Sequence, residues 1–212
     1  DAARVTAQAA SGAVPGTYRV EVQQLATAHA IATYDPDPNT NLDPSDPRNV
    51  SGTLTLDVTV GGNIKATFGI TVDPADSLYA IRDKINAAVE AAVNANPNLK
   101  PYAVRADVIG GYLVITRTET GMGRIEVSGA VAEDLQLIDS TGAERVVSEG
   151  KNAQFKVNGV SFTRSSNTVS DVIQDVTLEL HQAAPDQPVE ITVAWDDDAV
   201  VDAVKKFVEQ YN

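Results

Sequence analysis

Seven polar side chains fall within eight positions at Arg164, Ser165, Ser166, Asn167, Thr168, Ser170 and Asp171. A serine nucleophile in such a run would need a base within hydrogen-bond reach and a third group to orient that base. Arg164 cannot serve as the base, and the chain's two histidines, His29 and His181, lie elsewhere with no acid adjacent to either. Both are expected at solvent-exposed strand positions. The bland reading of the run is turn chemistry: Ser and Asn side chains bond their own backbone where a strand ends. Thr168 would then cap a short turn through Val169–Ile173.

Metal and phosphate chemistry are equally thin. Asp196, Asp197 and Asp198 could ligate a divalent ion, but three acids ahead of a helix are already favoured by its dipole. The loop acids Asp35, Asp37, Asp43 and Asp46 superficially resemble a calcium loop, yet prolines interrupt the spacing and the sharp-turn glycine is missing. Gly121 and Gly123 make a Gly-x-Gly with no Lys-Ser/Thr after it, which reads as a hairpin end rather than a phosphate cradle. No catalytic, metal-binding or cofactor-binding residue is expected, and no cofactor.

Composition narrows the partners. With 29 acidic against 16 basic residues the chain of 212 has a net charge of -13. Nucleic acid and anionic membrane surfaces would be repelled. No apolar run reaches the roughly 18 residues of a membrane-spanning helix, and the absence of cysteine removes disulfides and thiolate chemistry. The chain opens without Met and ends inside a helical pattern, so it reads as a fragment of a longer protein.

The elements that must carry these residues are mostly strands. Tyr18, Val20 and Val22 alternate with polar residues beyond a Pro-Gly turn, a period-2 pattern. The stretch Tyr34 to Asn49 holds four of the ten prolines and no apolar pattern, and reads as an exposed loop. Two hairpins are expected across Gly61-Gly62 and Gly110-Gly111. Between them Leu78, Ile81, Ile85 and Val89 recur at helical spacing behind Asp76 or Ser77 as a cap. Asn158-Gly159 is the strongest hairpin signal in the chain. Near the end Val200, Val204, Phe207 and Tyr211 fall at spacings of 4, 3 and 4, the seam of a coiled coil.

The stretch from Asn152 to Leu180, "NAQFKVNGVSFTRSSNTVSDVIQDVTLEL", also resembles the C-terminal signature of the bacterial flagellar filament capping family, hook-associated protein 2 or FliD. The matching positions include Asn158, Gly159, Arg164, Ser165, Asn167, Thr168, Val176, Thr177 and Leu178. Tyr18, Val20, Val22, Gln24 and Leu25 resemble the family's N-terminal block. Asn86 and its neighbours resemble the helix-and-hairpin insertion of flagellar axial proteins, and Phe207 to Asn212 resemble the family's ending.

The resemblance implies a structural cap at the distal tip of the filament, which retains exported flagellin and promotes its folding and polymerisation. The expected fold is α+β and β-rich. One antiparallel β head domain (1–35 and 149–195) would receive an inserted α+β, ββαββ-like head domain (50–148). A Pro/Asp-rich loop (36–49) and the start of a coiled-coil leg (196–212) complete the division. Implied partners are further copies of the chain, roughly four to six in a ring, flagellin, the hook-filament junction proteins and, in some members, host mucin. The implied location is extracellular, at the flagellum tip. A surface adhesin, or a flagellin-like outer domain without capping activity, is the rival reading.

Overall fold

The computed structural model describes residues 2–34, 43–195 and 197–211, with the side chains of 201 and 204–210 in the last stretch. The chain divides into two compact units. The first comprises Asp1–Leu25, Gln154–Thr163 and Asn167–Asn212; the second comprises Ala26–Ala153 and Arg164–Ser166.

Unit 1 holds two antiparallel sheets. In the first, β1 (Val5–Ala9) and β12 (Thr168–Ile173) flank β13 (Val176–Leu180). The second runs β11 (Val160–Arg164), β10 (Ala153–Val157), β2 (Gly16–Gln24), β14 (Val189–Val193). Alternation sends Val20, Val22, Phe155, Val176, Leu178 and Leu180 inward, each under 4% exposed. The Phe155 and Phe162 rings stack at 5.8 Å, a spacing that adds to the area they bury. Residues 168–173, expected as a capped turn, form strand β12 instead, with Val169 paired to Leu178. Ladder partners on β13 satisfy the backbone groups that a turn would have used.

Unit 2 is the α+β unit. Its sheets are β5 (Asn63–Val72), β4 (Gly52–Val60), β8 (Arg124–Ser128), and β6 (Val104–Ile109), β7 (Tyr112–Arg117), β3 (Ala30–Ala32), β9 (Val146–Ser148). Helix α1 (Leu78–Ala95) packs on β5 and β6. It starts where the Ser77 hydroxyl accepts from the Ala80 amide at 3.2 Å, and Leu78, Ile81, Ile85 and Val89 form its buried face. Those side chains join Leu54, Leu56, Phe68, Leu113, Ile115 and Ile125 in one core. Each contributes about 1.5–3 kcal/mol by leaving water. A short helix α2 (Ala130–Asp134) adds Val131 and Ala132. The C-terminal helix, α3 (Asp197–Tyr211), belongs to unit 1.

Positive φ at Asn158 (49°) and Gly159 (84°) produces the two-residue turn that joins β10 to β11. Only Gly and Asn adopt this region cheaply, which is why that pair specifies a hairpin.

Candidate functional site

The residues singled out in the sequence do not converge on one reactive centre. Val20, Val22, Val176 and Leu178 are core residues of unit 1. Tyr18 is half-buried on β2, and its hydroxyl donates to the Val14 carbonyl at 3.1 Å. Gln24 ends β2 opposite Gln154, Leu25 follows it half-buried, and Thr177 pairs with Gln8. Asn158 does more than turn the chain: its Oδ1 accepts from the Arg19 amide at 2.8 Å while its own amide donates to the Arg19 carbonyl at 2.9 Å. Gly159, beside it, has open space around its Cα. The hairpin tip is thereby tied to β2.

Asn86 plays the same part in unit 2, where its amide group pairs with the backbone of Ala106 at 2.9 Å in both directions. Around Lys84 a small ionic cluster holds the start of α1. The ammonium contacts Asp73 at 2.7 Å and Asp76 at 2.5 Å, and Asp76 also accepts from the Asp73 amide at 2.8 Å. Burial works to raise the Asp76 pKa, but these donors outweigh it and hold the carboxyl below its ordinary value. The neighbouring carboxylates raise that of Lys84.

The polar run at 164–168 separates. Arg164 ends β11, Asn167 accepts from the Leu180 amide at 2.9 Å, and Thr168 begins β12. Ser165 belongs to unit 2, where the Thr120 hydroxyl donates to its carbonyl at 2.6 Å. His181 is exposed and lies 2.8 Å from the Thr6 hydroxyl. His29 departs from its expected place: it precedes β3 in a loop and is fully buried. Its Nδ1 accepts from the Ile125 amide at 3.1 Å, and Nε2 has no partner among the described residues. Burial lowers its pKa below the usual imidazole value, outweighing the carboxylates of Glu149 and Glu144.

Gly121 and Gly123 do not close a hairpin either. β7 and β8 lie in different sheets, and the segment between them crosses from one to the other. A Cβ on Gly123 would strike the Arg117 guanidinium; one on Gly150 would strike the Gly123 carbonyl oxygen and approach that of Gly121 to 2.8 Å. Glycine is needed here for close packing of backbone on backbone. Arg117 was invisible as a site residue, and His29 was misplaced, because each gains its environment from distant segments. The one local signal was the Gly-x-Gly itself, a mark of close approach.

Among the described residues no group of three or more acids and histidines is arranged to hold a metal. Asp43 accepts from the Ser45 amide at 2.8 Å, which lowers its pKa, while Asp46 donates its amide to the Asp43 carbonyl at 2.9 Å. Asp35, Asp37 and Asp196, and the side chains of Asp197 and Asp198, lie outside the described residues. On α3, Val204 and Phe207 of the expected seam are 57% and 62% exposed; the side chains of Val200 and Tyr211 lie outside the described residues.

Polar side chains that pin a hairpin tip, a helix start and a sheet edge define a β-rich structural scaffold. Known proteins agree. The family description "Flagellar hook-associated protein 2 C-terminus" matches residues 150–212. The B-type flagellar hook-associated protein 2 of Pseudomonas aeruginosa is 34% identical over 97% of this chain and 44% of its own length. The crystal structure of FliD from Pseudomonas aeruginosa PAO1 covers 99% of this chain and 92% of its own at 30% identity, with a TM-score of 0.70. The flagellar cap protein FliD D1-D2-D3 domains from Escherichia coli superpose over 98% of this chain and 57% of theirs, at 27% identity and a TM-score of 0.72.

The chain therefore belongs to the flagellar hook-associated protein 2 (FliD) family, and its β-rich α+β fold is that of FliD head domains. It spans less than half the length of the curated relatives it matches first, 44% in each of two.

Proposed function

We propose that this chain is the head portion of a structural cap at the distal tip of the bacterial flagellar filament. In that role it retains exported flagellin and promotes its folding and polymerisation. The observation that carries this reading is colinear similarity to a FliD structure along 99% of the chain. Flagellin and further copies of the chain are its partners, roughly four to six subunits to a ring. Hook-filament junction proteins and host mucin complete the set. It acts outside the cell after export, without catalysis.

The division of labour that fits this reading places both units in the plate of the cap: the β-rich one built on Asp1–Leu25 and Gln154–Thr163 with the strands beyond Asn167, and the inserted α+β one of Ala26–Ala153, which takes in the 26–35 and 149–153 expected of the β domain. Residues 196–212 root the leg. The exposed Val204 and Phe207 on α3 support the last assignment. Deletion of the parent gene tests the function: flagellin leaking into the medium from cells without filaments, both reversed by the full-length gene, is the expected result. Normal filaments in the deletion strain would overturn it.

A further inference from the structure

Asn158 and Gly159 form the only Asn-Gly pair in the chain. Asparagine is chemically labile, and most so before glycine, which puts no side chain beside its own amide nitrogen. Both residues are exposed at the tip between β10 and β11. Beyond its chain neighbours, no heavy atom of the described residues lies within 4 Å of the place a Gly159 Cβ would take.

The hairpin leaves the reacting atoms free. The Gly159 amide donates no hydrogen bond among the described residues, so its nitrogen is available as a nucleophile. Asn158 Oδ1 accepts from the Arg19 amide at 2.8 Å. That N–H draws electrons from Cγ and stands where the oxyanion would form during attack. The Asn158 Nδ2 group, which has to leave, donates to no described residue. A surface cleft of about 510 Å³, lined by Arg19, Glu21, Lys156, Asn158 and Gly159, brings water to the same atoms.

Other asparagines lack this combination. Asn86 Oδ1 also accepts a backbone amide, but the next amide, of Ala87, lies inside α1 and is spent on the helix. Asn96 precedes Pro97, which has no N–H. Leu99, after Asn98, donates its amide to the Asn96 carbonyl at 3.0 Å.

We infer that Asn158 is a site of spontaneous deamidation in the folded chain, with aspartate and isoaspartate as products. The Gly159 nitrogen loses its proton to hydroxide and bonds to Asn158 Cγ. The Cγ–Nδ2 bond breaks, ammonia leaves with a proton from water, and a cyclic imide remains. Water then opens the imide. Cleavage at Cγ gives aspartate, which keeps an acceptor for the Arg19 amide. Cleavage at the other carbonyl gives isoaspartate, whose main chain runs through Cβ and Cγ. The turn is then one carbon longer, and the hydrogen bonds of Asn158 with the Arg19 amide and carbonyl are displaced. Isoaspartate thus unties the hairpin tip from β2.

The test is incubation of the folded chain in warm, mildly alkaline buffer, followed by peptide mass mapping and labelling with an isoaspartyl methyltransferase. The amide-to-acid mass shift should appear at Asn158 at least about tenfold faster than at any other asparagine, and part of it should accept the methyl label. Its rate should rise with pH, because the attacking amide must lose a proton. Asn158→Gln, which would have to close a larger ring, should abolish it. In the isoaspartate form the Arg19 and Asn158 amides should exchange faster, while the ladder between β2 and β14 stays protected.

The chain unfolded in urea is the reference. Conversion in urea with Asn158 intact in the folded chain would show that the hairpin shields the pair, and would overturn the inference. Conversion spread evenly over the asparagines, or at a rate independent of pH, would overturn it as well. Unchanged protection of the Arg19 amide in the isoaspartate form would overturn the untying of the tip.

Discussion

The side-chain amide of Asn86 on α1 closes two hydrogen bonds with the backbone of Ala106 on β6, donating to its carbonyl and accepting from its amide, each at 2.9 Å. β6 is the outer strand of its sheet. Ala106 pairs with Ile115 on one side and would leave an open edge on the other. The amide of Asn86 has the same donor and acceptor arrangement as a neighbouring strand, so it covers one step of that edge and locks helix to sheet. Asn86→Ala should cost about 1–3 kcal/mol in urea unfolding, and Asn86→Asp, which replaces the donor with a carboxylate facing a carbonyl, should cost at least as much at neutral pH. An unchanged midpoint in both would contradict the account.

Gly150 should tolerate no side chain. Its Cα sits against the backbone oxygens of Gly123 and Gly121, which cannot swing aside as a flexible side chain would. Gly150→Ala is expected to destabilise unit 2 by about 1–3 kcal/mol through overpacking, measured by the thermal midpoint. The same change at Gly69, where no heavy atom lies within 4 Å, is the control.

His29 predicts a pH dependence. Burial lowers its folded-state pKa below the unfolded value of 6.5, so the unfolded chain binds the proton more readily. Stability is therefore unaffected well above 6.5 and falls as the pH drops below it. Thermal midpoints taken from about pH 7.5 to about pH 5 should decline, and His29→Gln should flatten that slope. An equal slope in the variant would assign the decline to other groups.

Asp76 acts at lower pH. Its folded pKa is depressed below the ordinary value of 3.8, so its contribution is present above that value and is lost as the pH falls through the folded-state pKa. Asp76→Asn should lower stability at neutral pH and make the acid limb shallower. The loosened start of α1 should show as faster amide exchange at Ala80 and Ile81.

Short-range chemistry was readable in the residues alone. The turns at Gly61-Gly62, Gly110-Gly111 and Asn158-Gly159 demand positive φ and display it. The helix follows its spacing of Leu78, Ile81, Ile85 and Val89 behind Ser77. The family showed through the ordered run of motifs from Tyr18 to Asn212. What failed were readings that depended on remote partners. His29 looked like a strand residue because its neighbours are small and apolar, whereas the Ile125 amide, 96 positions away, takes it into the interior. Gly121 and Gly123 looked like a hairpin end because glycine pairs usually are one.

By itself, then, the sequence determined the local geometry and the kinship of this protein: where the chain turns, which face of α1 is apolar, that its polar inventory suits a structural module, and to which family it belongs. Tertiary structure alone decided the rest. It paired β1 with β13 across some 170 residues, with Thr6 opposite Glu179, made a strand of Thr168–Ile173, and buried Arg117. The physical reason is that turn and helix propensities act over a few bonds, whereas strand partners and burial are chosen only when distant segments compete for the same core.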